Sequence, residues 1–467
     1  VSLTTVELAH VLIALGLLTV LAHAGAQIFQ LLRQPPVIGE IVGGLVLGPT
    51  VLGALWPTAE TWLFPAKGAT GEVLGAFYSI GMLLLVYLTG AELRGHVARS
   101  DRRTMVWVAG AGLFVPFAAG LLVANSVSLP GLSGPHGNPA SLALVFGMAI
   151  AVTSVPVISR IMLDLGILRT VFARVVLAVA VLEDVVLYAL LAVVLGIAQA
   201  RAGDSYGVGG ALSRVSLPWA VVFFSLVPVV FFGLFLWRGR AAFDALRSGR
   251  WNVLERRSPT AFRIAYLFAL CLACSGLGID PMFGALAAGL SAGGPVPGEE
   301  RAAPAVPEAA ADAAPGSYQT LRAISLAFFV PVYFAVVGLK LDLIRHFDPV
   351  FFLWFLALAC VVKSAGVWAG ARLAGQDAAS AGNIAVAMNA RGGPGIILAS
   401  VTYAAGVISE DFFTSLVVLS IVTSQAAGVW LGRTVRRHRP LMSQRRPTGG
   451  ERGTPDPETT RRKAETA

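Results

Sequence analysis

A chain of 467 residues that is 56% hydrophobic, only 13% charged and has a mean hydropathy of +0.75 is excluded from the ordinary soluble domains and reads as a polytopic membrane protein. The formal charge of +9 does not describe a nucleic-acid surface, because the basic residues lie between apolar segments and in the tail. Cys271, Cys274 and Cys360 all fall within apolar segments, which excludes a disulfide framework and favours reduced packing residues.

Runs of about 20 apolar residues, the length that crosses a hydrocarbon core of about 30 Å, recur along nearly the whole chain. They predict an all-α fold of thirteen membrane segments, near 6–31, 36–55, 72–93, 104–125, 140–162, 171–199, 216–237, 260–276, 279–293, 319–343, 349–373, 380–405 and 410–432. The first lacks the basic start and cleavage site of a signal peptide and reads as a retained helix. The second carries Glu40 in PPVIGEIVGG, near one membrane face, where a structural role is expected. The fifth is interrupted at TSVP by Pro156, the sixth holds Glu183 and Asp184 in VLEDVVLY, the eleventh holds Lys363, and the twelfth is interrupted at RGGPG, with Arg391, Gly392, Gly393 and Pro394. Residues 299–316 are Ala/Pro-rich and acidic and read as a disordered linker, and residues 434–467 as a disordered polar tail.

Lys and Arg set the orientation. With the N-terminus outside, 28 of the 35 basic residues fall on the cytoplasmic side, so a multi-pass protein of the cell membrane with its C-terminus inside is expected. LLLVYLTGAEL (83–93) and PVYFAVVGLKL (331–341) share a pattern, and each is followed two segments later by a Pro-interrupted one. The first unit starts on an odd-numbered crossing and the second on an even one, which makes an inverted repeat, a mark of secondary transporters.

Helical rise puts Asp184 and Lys363 at about 13 Å and about 12 Å from the same face, with Arg391 and Thr153 in the same layer. At matching depth Lys363 is the expected partner of Asp184, and Glu183, about 100° around the helix, has none assigned. The interruptions leave backbone carbonyls and N–H groups free in mid-membrane, which is tolerated only beside protein or water, and two crossing broken helices prepare a polar seat for a small cation. Thr153 and Ser154 add hydroxyl oxygens to it. A buried carboxylate is costly in the membrane, so Asp184 is expected to bind a transported Na+ or K+ in exchange for a proton. Arg391 is expected to offset the dipoles of the broken helices rather than to touch the ion. A channel or uniporter without proton coupling would use the same layer. An enzyme is disfavoured, since no HExxH and no Ser/His pairing occurs; no cofactor is called for.

Five ordered blocks resemble the monovalent cation/proton antiporter family, in particular its second, bacterial-type branch: RQPPVIGEIVGGLVLGP (33–49), GMLLLVYLTGAEL (81–93), AVTSVPVISRIMLDLGIL (151–168), VAVLEDVVLYALLAVVLG (179–196) and AMNARGGPGIILASVTYAAGVISEDFFTSLVV (387–418). The resemblance spans about residues 5–433 and implies an exchanger domain over 1–433, with core helices about 104–199 and 349–432 moving against dimerisation helices about 6–93 and 216–343, in a homodimer. It puts Asp184 in the place of the family's ion-binding aspartate, Lys363 in that of its membrane lysine, and Thr153 and Ser154 in its first broken helix. Glu183 departs from the Asp-Asp of electrogenic members and the Asn-Asp of electroneutral ones, which leaves the stoichiometry open. A C-terminal nucleotide-binding domain is not expected, because no GxGxxG follows a strand.

Overall fold

Most helices start where the sequence supplies a cap or a proline. Thr4 and Glu7 form a reciprocal capping box at the start of the first helix, and Asn138 and Ser141 do the same at residue 139. Asp348, Asp377 and Ser409 accept backbone N–H groups at three later starts. The computed structural model describes residues 3–32, 34–65, 68–95, 102–127, 131–168, 170–202, 217–249, 252–277, 280–292, 316–437 and 439–442. The expected linker, apart from Gly316, and the tail beyond Met442 lie outside them.

The helices are α1 (Thr5–Leu31), α2 (Pro36–Leu47), α3 (Pro57–Leu63), α4 (Ala69–Gly95), α5 (Arg102–Ser126), α6 (Pro139–Ala151) and α7 (Val155–Asp164). Then come α8 (Val171–Ala202), α9 (Leu217–Arg247), α10 (Val253–Arg257), α11 (Pro259–Leu277) and α12 (Pro281–Ala292). The last are α13 (Ser317–Ile324), α14 (Val330–Leu339), α15 (Pro349–Leu373), α16 (Ala378–Ala387), α17 (Gly392–Ala404) and α18 (Glu410–Arg436). A π-helical turn at Ser325–Phe329 joins α13 to α14. Among the described residues nine helical spans are long and apolar enough to cross a bilayer, and the pair α16 and α17, bent by 41°, makes a tenth. Each of the thirteen expected segments coincides with a helix or a helix pair. The only extended pairing among the described residues is the isolated bridge between Ser133 and Ile408.

Two boundaries differ from the sequence reading. Helix α9 runs on to Arg247, past the apolar run, as a polar extension tied by Arg247 to Glu255 at 2.7 Å. The expected disordered tail from 434 instead continues α18 to Arg436, and Leu441 is buried with its carbonyl accepting from Asn383 Nδ2 at 3.1 Å. The Leu441 side chain joins the buried apolar core, with Met442 packed against it.

Packing depends on small residues that let helix backbones touch. Gly39 of α2 meets Gly25 of α1 so closely that a Cβ on either would lie 2.1 Å from the other's carbonyl oxygen. Across α2, a Cβ on Gly44 would lie 1.8 Å from the Ala335 carbonyl of α14. Helix α2 is thereby clamped between α1 and α14. A second tight contact joins α5 and α15, where Gly366 and Gly370 lie against the carbonyls of Ala111 and Trp107. Cys271 and Cys274 are buried free thiols of α11.

At the end of the bundle opposite the arginine-rich one, His346 in the loop after α14 reaches the start of α18. Its Nδ1 is 2.7 Å from Asp411 Oδ1 and its Nε2 is 3.6 Å from Glu410 Oε2, with Asp342 and Arg345 nearby on its own loop. The hydrogen bond to Asp411, reinforced by the carboxylates of Glu410 and Asp342, raises the imidazole above its ordinary value.

Gly44→Ala is expected to destabilise the protein by about 1–3 kcal/mol through overpacking, whereas Gly75→Ala, with nothing within 4 Å, is expected to be neutral; thermal unfolding in detergent compares them. Because His346 is raised in the folded state, its stabilisation is complete below the unfolded value of about 6.5 and is lost as pH rises through the higher folded value. The melting temperature of the wild type relative to His346→Gln should therefore fall across that window, and a pH-independent difference would contradict the assignment.

Candidate functional site

The site is built around two breaks. Helix α6 stops at Ala151, the chain turns extended at Val152 and stays non-helical through Thr153 and Ser154, and α7 resumes at Val155. Helix α16 stops at Ala387 and α17 resumes at Gly392. In each case the proline lies after the break: Pro156 and Pro394 sit in the first turn of the second half-helix, where a missing N–H costs nothing. The breaks are bonded to each other, since Ser154 N donates to Ala390 O at 2.6 Å and Thr153 Oγ1 donates to Met388 O at 2.7 Å.

Two buried cations satisfy the carbonyls at the end of α6, where the helix dipole is negative. Arg391 donates through Nε to Ala149 O at 3.1 Å and through Nη2 to Ile150 O at 3.0 Å, and it also reaches Ala359 O and the carbonyl and side chain of Asn389. Lys363 donates to Ala151 O at 2.5 Å and to Gly112 O at 2.9 Å. At the start of α17 the Gly392 N–H donates to Ser424 Oγ at 3.1 Å, and at the start of α7 the Val157 N–H donates to Ser154 Oγ at 3.3 Å. Gly392 has φ +27° and faces Val157, which leaves no room for a side chain at the crossing.

The carboxylates divide differently from the sequence expectation. Lys363 Nζ pairs with Glu183 Oε2 at 2.8 Å, both side chains being fully buried, and not with Asp184. Equal depth was the basis for expecting Asp184, but depth along a helix says nothing about azimuth. Glu183 faces α5, where Gly112 leaves the space for it: a Cβ there would lie 2.9 Å from Glu183 Oε1.

Asp184 is 1% exposed, and neither of its carboxylate oxygens has a hydrogen-bond partner. It lines a cavity of about 20 Å³ with Met148, Val152, Tyr188, Pro394 and Leu398 among its walls. That space holds about one water molecule. Tyr188 is one turn along α8 from Asp184, and its hydroxyl is likewise buried without a partner. A second cavity, of about 110 Å³, lies between α4, α7, α14 and α17 and includes Thr89, Arg322 and Phe334. The two cavities share Pro394 and Ile397 as walls. Among the described residues no group of three or more His, Cys, Asp or Glu side chains is arranged to hold a resident metal.

Of the residues singled out in the sequence, the structure brings Glu183, Lys363, Thr153, Ser154, Arg391, Gly392 and Pro394 together at the crossing, with Asp184 beside them. Gly393 lines the second cavity, and the hydroxyls of Thr153 and Ser154 bond within the crossing rather than to Asp184. Gly112, Tyr188, Asn389 and Ser424 escaped the sequence reading. Gly112 had a signal, the small-residue run VAGAG in the fourth segment; single hydroxyls on apolar helices had none.

The sodium/hydrogen exchanger transmembrane family model matches residues 16–437. The Na+/H+ antiporter NhaS4 of Synechocystis is 29% identical over 426 residues, covering 89% of this chain and 94% of that protein. The Na+/H+-K+ antiporter GerN of Bacillus cereus is 27% identical over 396 residues, covering 84% and 88%. Cation/H+ antiporter 20 of Arabidopsis thaliana is 29% identical over 403 residues, and the matched region spans 45% of that longer protein. In fold, the sodium/proton antiporter MjNhaP1 of Methanocaldococcus jannaschii superposes with a TM-score of 0.61 at 14% identity, covering 92% of this chain and 99% of that one. With the family match extending over most of the chain and across both broken helices, this protein belongs to the transmembrane sodium/hydrogen exchanger family of monovalent cation/proton antiporters.

Proposed function

We propose that the protein exchanges Na+ or K+ for protons by alternating access, with cation and proton competing for Asp184. The observation that carries this reading is the unpartnered carboxylate itself, fully buried at the wall of a cavity of about one water's volume. Burying an ionised carboxylate without a partner is expensive, and a proton or a desolvated cation relieves that cost. At the crossing Lys363 neutralises Glu183 through Oε2, leaving Oε1 buried without a hydrogen bond, and Arg391 is spread over carbonyls, so Asp184 is the carboxylate with no counter-charge in contact. Asp184 is thus the group free to change its load.

In this reading Glu183 and Lys363 are fixed charges that hold the broken helix α6, and the ion-binding group is Asp184 alone among the carboxylates. Thr153 and the carbonyls near the breaks supply further oxygens when the cation is bound. The core is α5 to α8 with α15 to α18, moving against the scaffold of α1 to α4 and α9 to α14. The protein acts as a homodimer in the cell membrane, with the arginine-rich end cytoplasmic. The cavity beside Thr89 and Arg322 lies on that side of Asp184 and supports an inward-facing state.

The decisive experiment is proton release measured by dequenching of a pH dye in everted vesicles on addition of Na+, K+ or Li+. Asp184→Asn is expected to reduce exchange to background while folding normally, and full exchange by this variant would overturn the mechanism. No pH response of the wild type to any of the cations would favour a channel or uniporter. Glu183→Gln is expected to lower stability by about 3–5 kcal/mol, because it strands the Lys363 charge, whereas Asp184→Asn strands no charge and is expected to cost less. Comparing their melting temperatures in detergent tests the pairing independently of transport.

A further inference from the structure

We propose that Tyr333 and Ser400 form a latch that holds the path from Asp184 to the outer side shut, and that breaking their hydrogen bond is part of the outward transition. This rests on the reading above, in which α17 moves with the core and α14 stays with the scaffold.

Tyr333 of α14 donates from its hydroxyl to Ser400 Oγ of α17 at 3.2 Å, and both side chains are buried. Ser400 is less than one turn beyond Ile397 and Leu398, which wall the Asp184 cavity. The bond lies just beyond that wall, further along α17 than the residues that face Arg322. On α14 the same helix changes character within one turn. Val330 and Phe334 line the open cavity, and Tyr333, on another face, seals.

The seal is backed by a stack. The Tyr78 ring lies on the Tyr333 ring with centroids 5.2 Å apart, and Lys340, at the end of α14, places its Nζ 3.9 Å from the centre of the Tyr78 ring. Aromatic stacking and a cation over a ring face are mutually supportive and keep water out of the layer. These contacts lie within the scaffold helices α4 and α14. Ser400 of α17 is where the scaffold meets the core: Tyr333 bonds to it and the Tyr78 hydroxyl also lies within its reach.

A single neutral hydrogen bond is a suitable latch, since it has a modest net value and both hydroxyls find water once the path opens. A buried ion pair at this position would leave two charges to be hydrated at each turnover. It would also place a fixed charge on the route of the transported cation.

The test uses the full chain in proteoliposomes of fixed orientation. Cys271, Cys274 and Cys360 are replaced by alanine, and Leu398→Cys serves as reporter on the cavity wall. A membrane-impermeant maleimide is added from either side. Tyr333→Phe, which keeps the stack on Tyr78, and Ser400→Ala are each expected to raise the outer-side labelling rate by about five-fold, the value of one lost hydrogen bond. Inner-side labelling should fall in step. The double variant should go no further than Ser400→Ala alone, which removes the partner of both Tyr333 and Tyr78.

Outer labelling that stays unchanged or falls in both variants would overturn the latch. So would effects of the two substitutions that simply multiply. Adding Asp184→Asn separates the two readings: exchange that persists in that background removes the carboxylate mechanism, while side-specific labelling still reports on the latch. A merely structural role for Tyr333 would change labelling from both sides together.

Discussion

The site depends on how the open end of helix α6 is satisfied inside the membrane. A helix that stops there exposes carbonyls with no water to receive them, and each unsatisfied group is costly in a hydrocarbon surrounding. Arg391 and Lys363 take the carbonyls of Ala149, Ile150 and Ala151, bringing two positive charges to the negative end of the helix. The second break is secured by the first, through Thr153 and Ser154 on the carbonyls of Met388 and Ala390. Each break thus supplies hydrogen-bond partners to the other, which ties the crossing into one unit.

From that constraint the separate fates of the two carboxylates follow. Lys363 must be held over the end of α6, and its own charge needs a counter-charge that does not leave during transport. Glu183, one methylene longer than aspartate and lying over Gly112, supplies it. Asp184 then carries no structural duty among the described contacts and faces the cavity instead. In the proposed mechanism this is what allows its load to alternate between proton and cation without loosening the fold. On that reading Glu183 serves to keep the lysine fixed through their ion pair.

Contacts within the proposed core and scaffold groups differ in kind from a contact between them. Backbone-to-backbone packing at Gly25, Gly39 and Gly44 fixes α1, α2 and α14 together, and Gly366 and Gly370 fix α15 to α5. Such packing does not slide without collision. Between α14 and α17, by contrast, there is a hydroxyl pair and a cavity. An interface of that kind suits motion, whereas the glycine contacts suit rigid bodies.

The number and placement of the helices were legible because apolar length and capping residues are local properties: thirteen runs were readable, and so were the two interruptions around Pro156 and RGGPG. The polar layer was legible too, since depth along a helix follows from residue count. Azimuth was not. Which of two adjacent carboxylates meets Lys363 depends on how α5, α8 and α15 are rotated about their axes, and on the space left by Gly112, a residue 71 positions before Glu183 in the chain. The first residues of the tail differ from the reading for a related reason, because Leu441 is held by Asn383 of another helix. The sequence by itself determined that the protein spans a membrane, carries two broken helices and buries four charges at one level. Only the tertiary structure decided which charges pair, because pairing is a matter of facing and free space, and both are set by helices distant in the chain.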